Sequence, residues 1–224
     1  MPIVFQNTAS EVFFWIFLSA FLVSAVCHAA LCLGKLKRWR MLSKPLPMLF
    51  LALALVCLAP QYQLAVLACF LFAVADCFFA PEKPSWLFAL GAVISTGALV
   101  LELVVFVPLL PFAVPAYAYG IVAGGVLLFG LGGYFTRGKR DAASAAVGMA
   151  HLGMSLAVLV FSVLLLADVP LYNEILTVVG FAFFAAYAMI GQFAYSRRFS
   201  TTVPYFVGQV CIFFGLILSL ANFV

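Results

Sequence analysis

The sequence predicts an all-α protein: one integral membrane domain over residues 1–224, built as a bundle of eight transmembrane helices. Three observations predict it. The chain is 67% hydrophobic and only 8% charged, with a mean hydropathy of +1.26, which is more apolar surface than a water-soluble fold can hide. Its apolar runs recur at about the 20 residues that a helix needs to cross a hydrocarbon core about 30 Å thick. Its basic residues cluster in every second connection, the pattern of cytoplasmic loops.

The first run covers residues 11 to 34. The preceding "MPIVFQNTAS" has no basic n-region, and no small-residue cleavage site follows a short apolar stretch, so this helix is expected to stay in the mature protein. The second, 45 to 60, reads "KPLPMLFLALALVCLAP" and offers barely enough residues to cross, so it is expected to be thin, tilted or tucked against its neighbours. The third, 63 to 80, carries Asp76 within "FLFAVADCFFA". The fourth spans 86 to 107, the fifth 114 to 135, the sixth 143 to 167, the seventh 174 to 195 and the eighth 202 to 224. Pro45, Pro47, Pro60, Pro81, Pro84, Pro108, Pro111, Pro115, Pro170 and Pro204 fall almost entirely at segment ends, where a missing N–H is tolerated best. The connections are short, and none forms a separate domain or a flexible linker.

With eight spans and both termini outside, the inner loops hold Lys35, Lys37, Arg38, Arg40, Lys44, Lys83, Arg137, Lys139, Arg140, Arg197 and Arg198, which are all eleven basic residues. Glu11, Asp168 and Glu174 lie outside. A miscount by one helix would scatter the basic residues over both faces. The net charge of +4 is therefore a topology signal and a means of contacting anionic headgroups. It argues against nucleic-acid binding, because no basic face is concentrated anywhere. Basic inner loops suit the cytoplasmic side of a bacterial inner membrane.

The six cysteines, Cys27, Cys32, Cys57, Cys69, Cys77 and Cys211, lie within or at the edges of the helical segments. With no CxxC pair and no Cys/His zinc spacing, they read as small apolar helix residues, and no metal, cofactor or disulfide is expected. The fifth segment, "YGIVAGGVLLFGLGGYF", contains a GxxxG from Gly120 to Gly124, which suits either a dimer interface or, the stronger expectation, close packing within the bundle. "GLGGYF" lacks the strand and the GK[ST] ending of a phosphate loop. No internal repeat is visible, so an inverted-repeat transporter gains no support.

Few side chains within the spans can do chemistry. At 1.5 Å rise per residue, Asp76 falls about 6 Å from the inner end of its helix. His28, His151, Gln192 and Gln209 also belong to the cytoplasmic half, so polar groups from five helices at similar depth suggest a polar cavity open on that side. A structural alternative pairs Asp76 with a hydroxyl, a histidine or Lys44, and the histidines and glutamines are individually read more simply as groups that tie helices together. Glu102 comes about 24 Å beyond the inner end of its helix, too far to pair with Asp76, and is expected to reach the outer interface. An intramembrane acid is nevertheless a functional candidate, since inserting one at mid-membrane costs roughly 2.5–3.5 kcal/mol.

At "RWRMLSKPLPMLFLALAL" the chain resembles the YhhN-like lysoplasmalogenase family, whose members carry a KPLPM-type motif at the start of the second helix. The family's Gly-Asp pair corresponds here to Ala75 and Asp76 in "FAVADCFF", and "YFVGQVCIFFG", with Tyr205 and Gln209, is similar to its closing Tyr-x-x-small-Gln pattern. The chain departs from the family at Leu99 and Glu102, where members tend to have His and Tyr, and at Ser162 and Val163, where members have a Ser-Asp pair. Asp168 follows shortly after, toward the outer side.

The resemblance implies a membrane hydrolase that cleaves the vinyl ether bond of lysoplasmalogens to a fatty aldehyde and a glycerophospho-headgroup. Such cleavage needs a proton donor for the β-carbon and a water for the resulting oxocarbenium centre, and burial favours the neutral form of a carboxyl group in general. The expected roles are Asp76 as acid, His151 or His28 as proton partner, and Gln209 as ligand for water or headgroup. Lys44 would hold the phosphate, with Tyr205 and Gln192 beside the substrate. The competing expectation is a non-enzymatic membrane protein that transports or senses a lipid or small solute.

Overall fold

The computed structural model describes residues 5–34, 37–58, 62–79, 85–110, 112–137, 141–167, 172–193 and 199–221. Their helices are α1 (Thr8–Leu33), α2 (Lys37–Ser43), α3 (Leu46–Val56), α4 (Gln63–Phe79), α5 (Ser85–Phe106), α6 (Ala116–Phe135), α7 (Ala142–Val163), α8 (Tyr172–Phe193) and α9 (Phe199–Ala221). Short 3-10 turns extend α5 at Val107–Leu109 and α7 at Leu164–Ala167.

Seven helical stretches are long and apolar enough to cross a membrane: α1, the run Arg38–Val56, α5, α6, α7, α8 and α9. Gln63–Phe79, the whole of α4, is apolar but shorter, at 17 residues. The second segment is built differently from the expectation. α3 has only 11 residues and reaches a crossing length only together with α2, so Arg38 and Arg40 are helical rather than part of a loop. Lys35, Lys83, Lys139, Arg140, Asp168, Arg197 and Arg198 lie outside the described residues.

Local chemistry sets several helix starts. The Asn7 side chain accepts from the Ser10 N–H at 2.8 Å, and Asp141 accepts from the Ser144 N–H at 2.9 Å, each satisfying a donor that the first turn leaves unpaired. Pro45 caps α3 with its ring already at a helical angle.

The helices run alternately up and down. At one end Phe5 meets Leu58, Tyr62 donates to the Ile217 carbonyl at 3.4 Å, and Asn173 donates to Ser219 at 2.6 Å, so the start of α1, the end of α3, the starts of α4 and α8 and the end of α9 share one face. The opposite face gathers the end of α1, the start of α3, the end of α4 and the starts of α5 and α9. The core between them is aromatic and aliphatic, with Phe14, Phe21, Met48, Phe72, Phe106 and Phe213 buried.

Glycines decide how closely some helices approach. A Cβ at Gly215 would collide with Thr177 Oγ1, and one at Gly208 would come within 2.9 Å of the Gly180 carbonyl, so α8 and α9 meet nearly backbone to backbone. α6 is peripheral. Gly133 packs it onto the Ala145 carbonyl of α7, but Cβ atoms at Gly120, Gly124 and Gly125 would meet nothing within 4 Å. The expected bundle packing of the GxxxG is thus corrected: Gly120 and Gly124 are exposed, because α6 touches the bundle through its later glycines.

Candidate functional site

Three side chains distant in sequence meet at the end of the bundle where α4 finishes and α3, α5 and α9 begin. Lys44, between α2 and α3, places Nζ 3.1 Å from Asp76 Oδ1. Tyr205, in the second turn of α9, donates its hydroxyl proton to Asp76 Oδ2 at 2.8 Å. Asp76 is 1% exposed, whereas Lys44 keeps 20% of its side chain accessible, so the lysine is the more accessible member of the pair. A buried carboxylate without partners would be strongly unfavourable, and the cation and the phenol supply one partner to each oxygen. Aromatic rings enclose the group: Lys44 Nζ lies 4.8 Å from the centre of the Phe79 ring, and Tyr205 packs on Tyr187, Phe206 and Phe184 with centroids 4.9, 5.0 and 5.9 Å away.

His28 joins this end of the bundle from α1. Ser43, adjacent to Lys44, hydrogen-bonds His28 Nδ1 across 2.7 Å, and its hydroxyl also lies 3.2 Å from the Arg40 carbonyl. His28 Nε2 meets the Cys32 thiol at 3.5 Å, and Cys32 in turn faces Thr202 Oγ1 at 3.4 Å. His28 therefore ties α1 to the segment that aims Lys44 and to the first turn of α9, and does not touch Asp76.

His151 stands one aromatic ring away. Its ring packs on Phe184 and Phe79 at 6.0 and 6.5 Å, and these rings separate it from Tyr205 and Lys44. Thr96 donates to the Ala92 carbonyl at 2.7 Å and so accepts from His151 Nδ1–H at 3.2 Å. The neutral ring then carries its proton on Nδ1, and Nε2 is a buried acceptor with no partner among the described residues. Gln209 lies one helical turn beyond Tyr205, fully buried, with both amide atoms unpartnered among the described residues. Gln192 is partly exposed near the end of α8.

The structure thus brings Lys44, Asp76 and Tyr205 into direct contact, places His28 and Gln209 next to them, and holds His151 behind a phenyl ring. Asp76 makes the Lys44 contact foreseen as its structural alternative. The expectation for Glu102 is corrected: it does not reach an interface but is fully buried on α5, both oxygens unpartnered among the described residues, because its face of the helix is the packed one that also buries Leu99 and Phe106. Ser162 donates to the Leu159 carbonyl of its own helix, and Val163 is exposed.

Sequence reasoning did not single out Ser43, Cys32, Thr202 or Thr96. For Cys32 a signal existed, since it follows His28 by four residues and shares its helical face. Among the described residues no group of three or more His, Cys, Asp or Glu side chains is arranged to hold a metal ion. A cavity of about 460 Å³ opens toward the other end of α3 and α4, lined by Leu49, Leu53, Val66, Leu67 and Phe70 with Gln6 and Gln63, and does not include the Asp76 cluster.

Comparison of the chain with protein-family models finds no match. No curated protein and no solved structure matches it either.

Proposed function

We propose that the chain is an eight-span membrane hydrolase that cleaves the vinyl ether bond of lysoplasmalogens, with Asp76 as the acid. The observation that carries this reading is the meeting of Lys44, Asp76 and Tyr205. Each comes from one of the three separate segments on which the resemblance to the lysoplasmalogenase family rests, and they converge on one carboxyl group at one end of the bundle.

A lysophospholipid entering at that end presents its phosphate to Lys44, whose side chain is partly exposed. The phosphate competes with Asp76 for the cation. Asp76, left with Tyr205 and relieved of its counter-ion, takes up a proton. It passes that proton to the β-carbon of the vinyl ether, and the electron pair of the double bond forms the new C–H bond. Water adds to the oxocarbenium carbon and returns a proton to Asp76. The resulting hemiacetal collapses to a fatty aldehyde and the free glycerol hydroxyl. Gln209, one turn deeper than Tyr205, has the unmet donors and acceptor to hold that water. His151 Nε2 is a second free acceptor behind Phe79.

The test is aldehyde release from a lysoplasmalogen by the purified protein, alongside Asp76→Asn. Loss of general acid catalysis predicts a drop of about 10²–10⁴-fold in the variant. Equal release from variant and parent removes Asp76 from the mechanism. Release from neither favours the second reading, a protein that transports or senses a lipid or small solute. That reading draws on the ion pair, which satisfies Asp76 as a purely structural contact would.

A further inference from the structure

Beyond the Lys44–Asp76–Tyr205 contact, the bundle core contains polar groups that no atom of the described residues satisfies. Gln209 is 0% exposed and neither its amide nitrogen nor its oxygen has a partner among the described residues; the same holds for both carboxyl oxygens of Glu102. A buried polar atom left unpaired is unfavourable by about 1–3 kcal/mol, more when it carries charge. Two such side chains in one small bundle call for a shared explanation.

Their placement supplies one. α9 leaves the Asp76 end with Tyr205, and Gln209 follows one turn later on the same face. α4 approaches that end, so Cys69, two turns before Asp76 on the same face, lies on the same side of it as Gln209. Cys69 is fully buried. α5 starts at the Asp76 end, where Gly91 packs on Ala75 and Phe79, and Glu102 comes three turns further on. Tyr205 and Gln209 thus continue inward from Asp76 along α9 and Cys69 does so along α4, while Glu102 lies deeper, about 16 Å inward of Gly91 on α5.

We propose that ordered water binds in this core at Gln209, one turn inward of the Asp76–Tyr205 pair, and at Glu102 further in. Water is the ligand that fits the donor set. Gln209 offers two N–H donors and a carbonyl, Glu102 offers two oxygens, and a water held by such groups makes two to four hydrogen bonds where an apolar ligand makes none. The inference stands on the bundle core and is independent of whether the protein cleaves a lipid.

The direct test is water-edited solid-state NMR on the full native chain in lipid. Magnetisation passes from water to the Cδ carbons of Gln209 and Glu102 faster than to the ring of buried Phe213. Transfer no faster than to Phe213 overturns the proposal. X-ray radiolytic footprinting of the same preparation adds a second reading, since hydroxyl radicals formed from bound water oxidise the side chains beside it. Cys69 is oxidised despite its burial, and the oxidation is lost in a Gln209→Leu, Glu102→Leu double variant whose other cysteines label as in the parent. An unoxidised Cys69 in the native chain, or one oxidised equally in that variant, sinks the idea.

Discussion

Asp76 has one cation and one phenol, and each accounts for one oxygen. The balance is asymmetric, because removing a partner from a buried pair leaves an uncompensated charge, while removing both leaves an apolar contact. Lys44→Met is expected to lower stability by about 3 kcal/mol, and a Lys44→Met, Asp76→Leu double variant by clearly less. Thermal unfolding of the protein in detergent checks this; an equal or greater loss in the double variant would show that the two side chains contribute through packing rather than charge. The same logic separates the histidines. His28 has both ring nitrogens engaged and acts as a tie between helices, whereas His151 Nε2 has no partner among the described residues. Composition and depth marked all of these residues as unusual, since polar groups are rare in so apolar a chain. Which of them touch depends on the rotation of each helix about its axis, and near-uniform hydrophobicity conceals that rotation. α1 and α6 are apolar all round, so no amphipathic stripe in them announces an inward face.

Among the helices, the glycines show how little a motif says without its neighbour. Gly120 and Gly124 fit the spacing of a close helix contact, yet their face of α6 is open. Gly180, Gly208 and Gly215 belong to no GxxxG and nonetheless set the tightest seam, between α8 and α9. Gly180→Leu is expected to destabilise by at least the 1–3 kcal/mol typical of overpacking, because the new side chain meets the Ile212 backbone. Gly124→Leu should change stability by less than about 0.5 kcal/mol. Chemical or thermal unfolding of both variants in one detergent compares them, and a large loss at Gly124 would reveal a contact that the single chain does not show. The second segment is a further case in which local sequence fell short. "KPLPM" reads as the beginning of a short span, but about two preceding turns of helix, α2, supply the missing length and carry Arg38 and Arg40 with them.

At the level of the whole molecule, the up-and-down order of the helices puts the start of α1 at the face opposite Asp76. If all eight principal helices cross, a cysteine replacing Gln6 should react with a membrane-impermeant maleimide on intact cells, and one replacing Thr136, between α6 and α7, only after permeabilisation. Labelling of both from the same side would mean that one helix, with α4 the shortest candidate, does not cross. A membrane setting follows from composition alone, because a chain with a mean hydropathy of +1.26 has no stable way to bury its surface in water. Approximate helix limits follow as well, since bilayer thickness imposes a length and prolines mark the ends. The pairing of Lys44, Asp76 and Tyr205, the burial of Glu102 and the open face of α6 could be settled only by packing. Each depends on contacts between residues as much as 129 positions apart, and such contacts are set by how helices rotate and approach one another, a three-dimensional property that apolar periodicity does not encode.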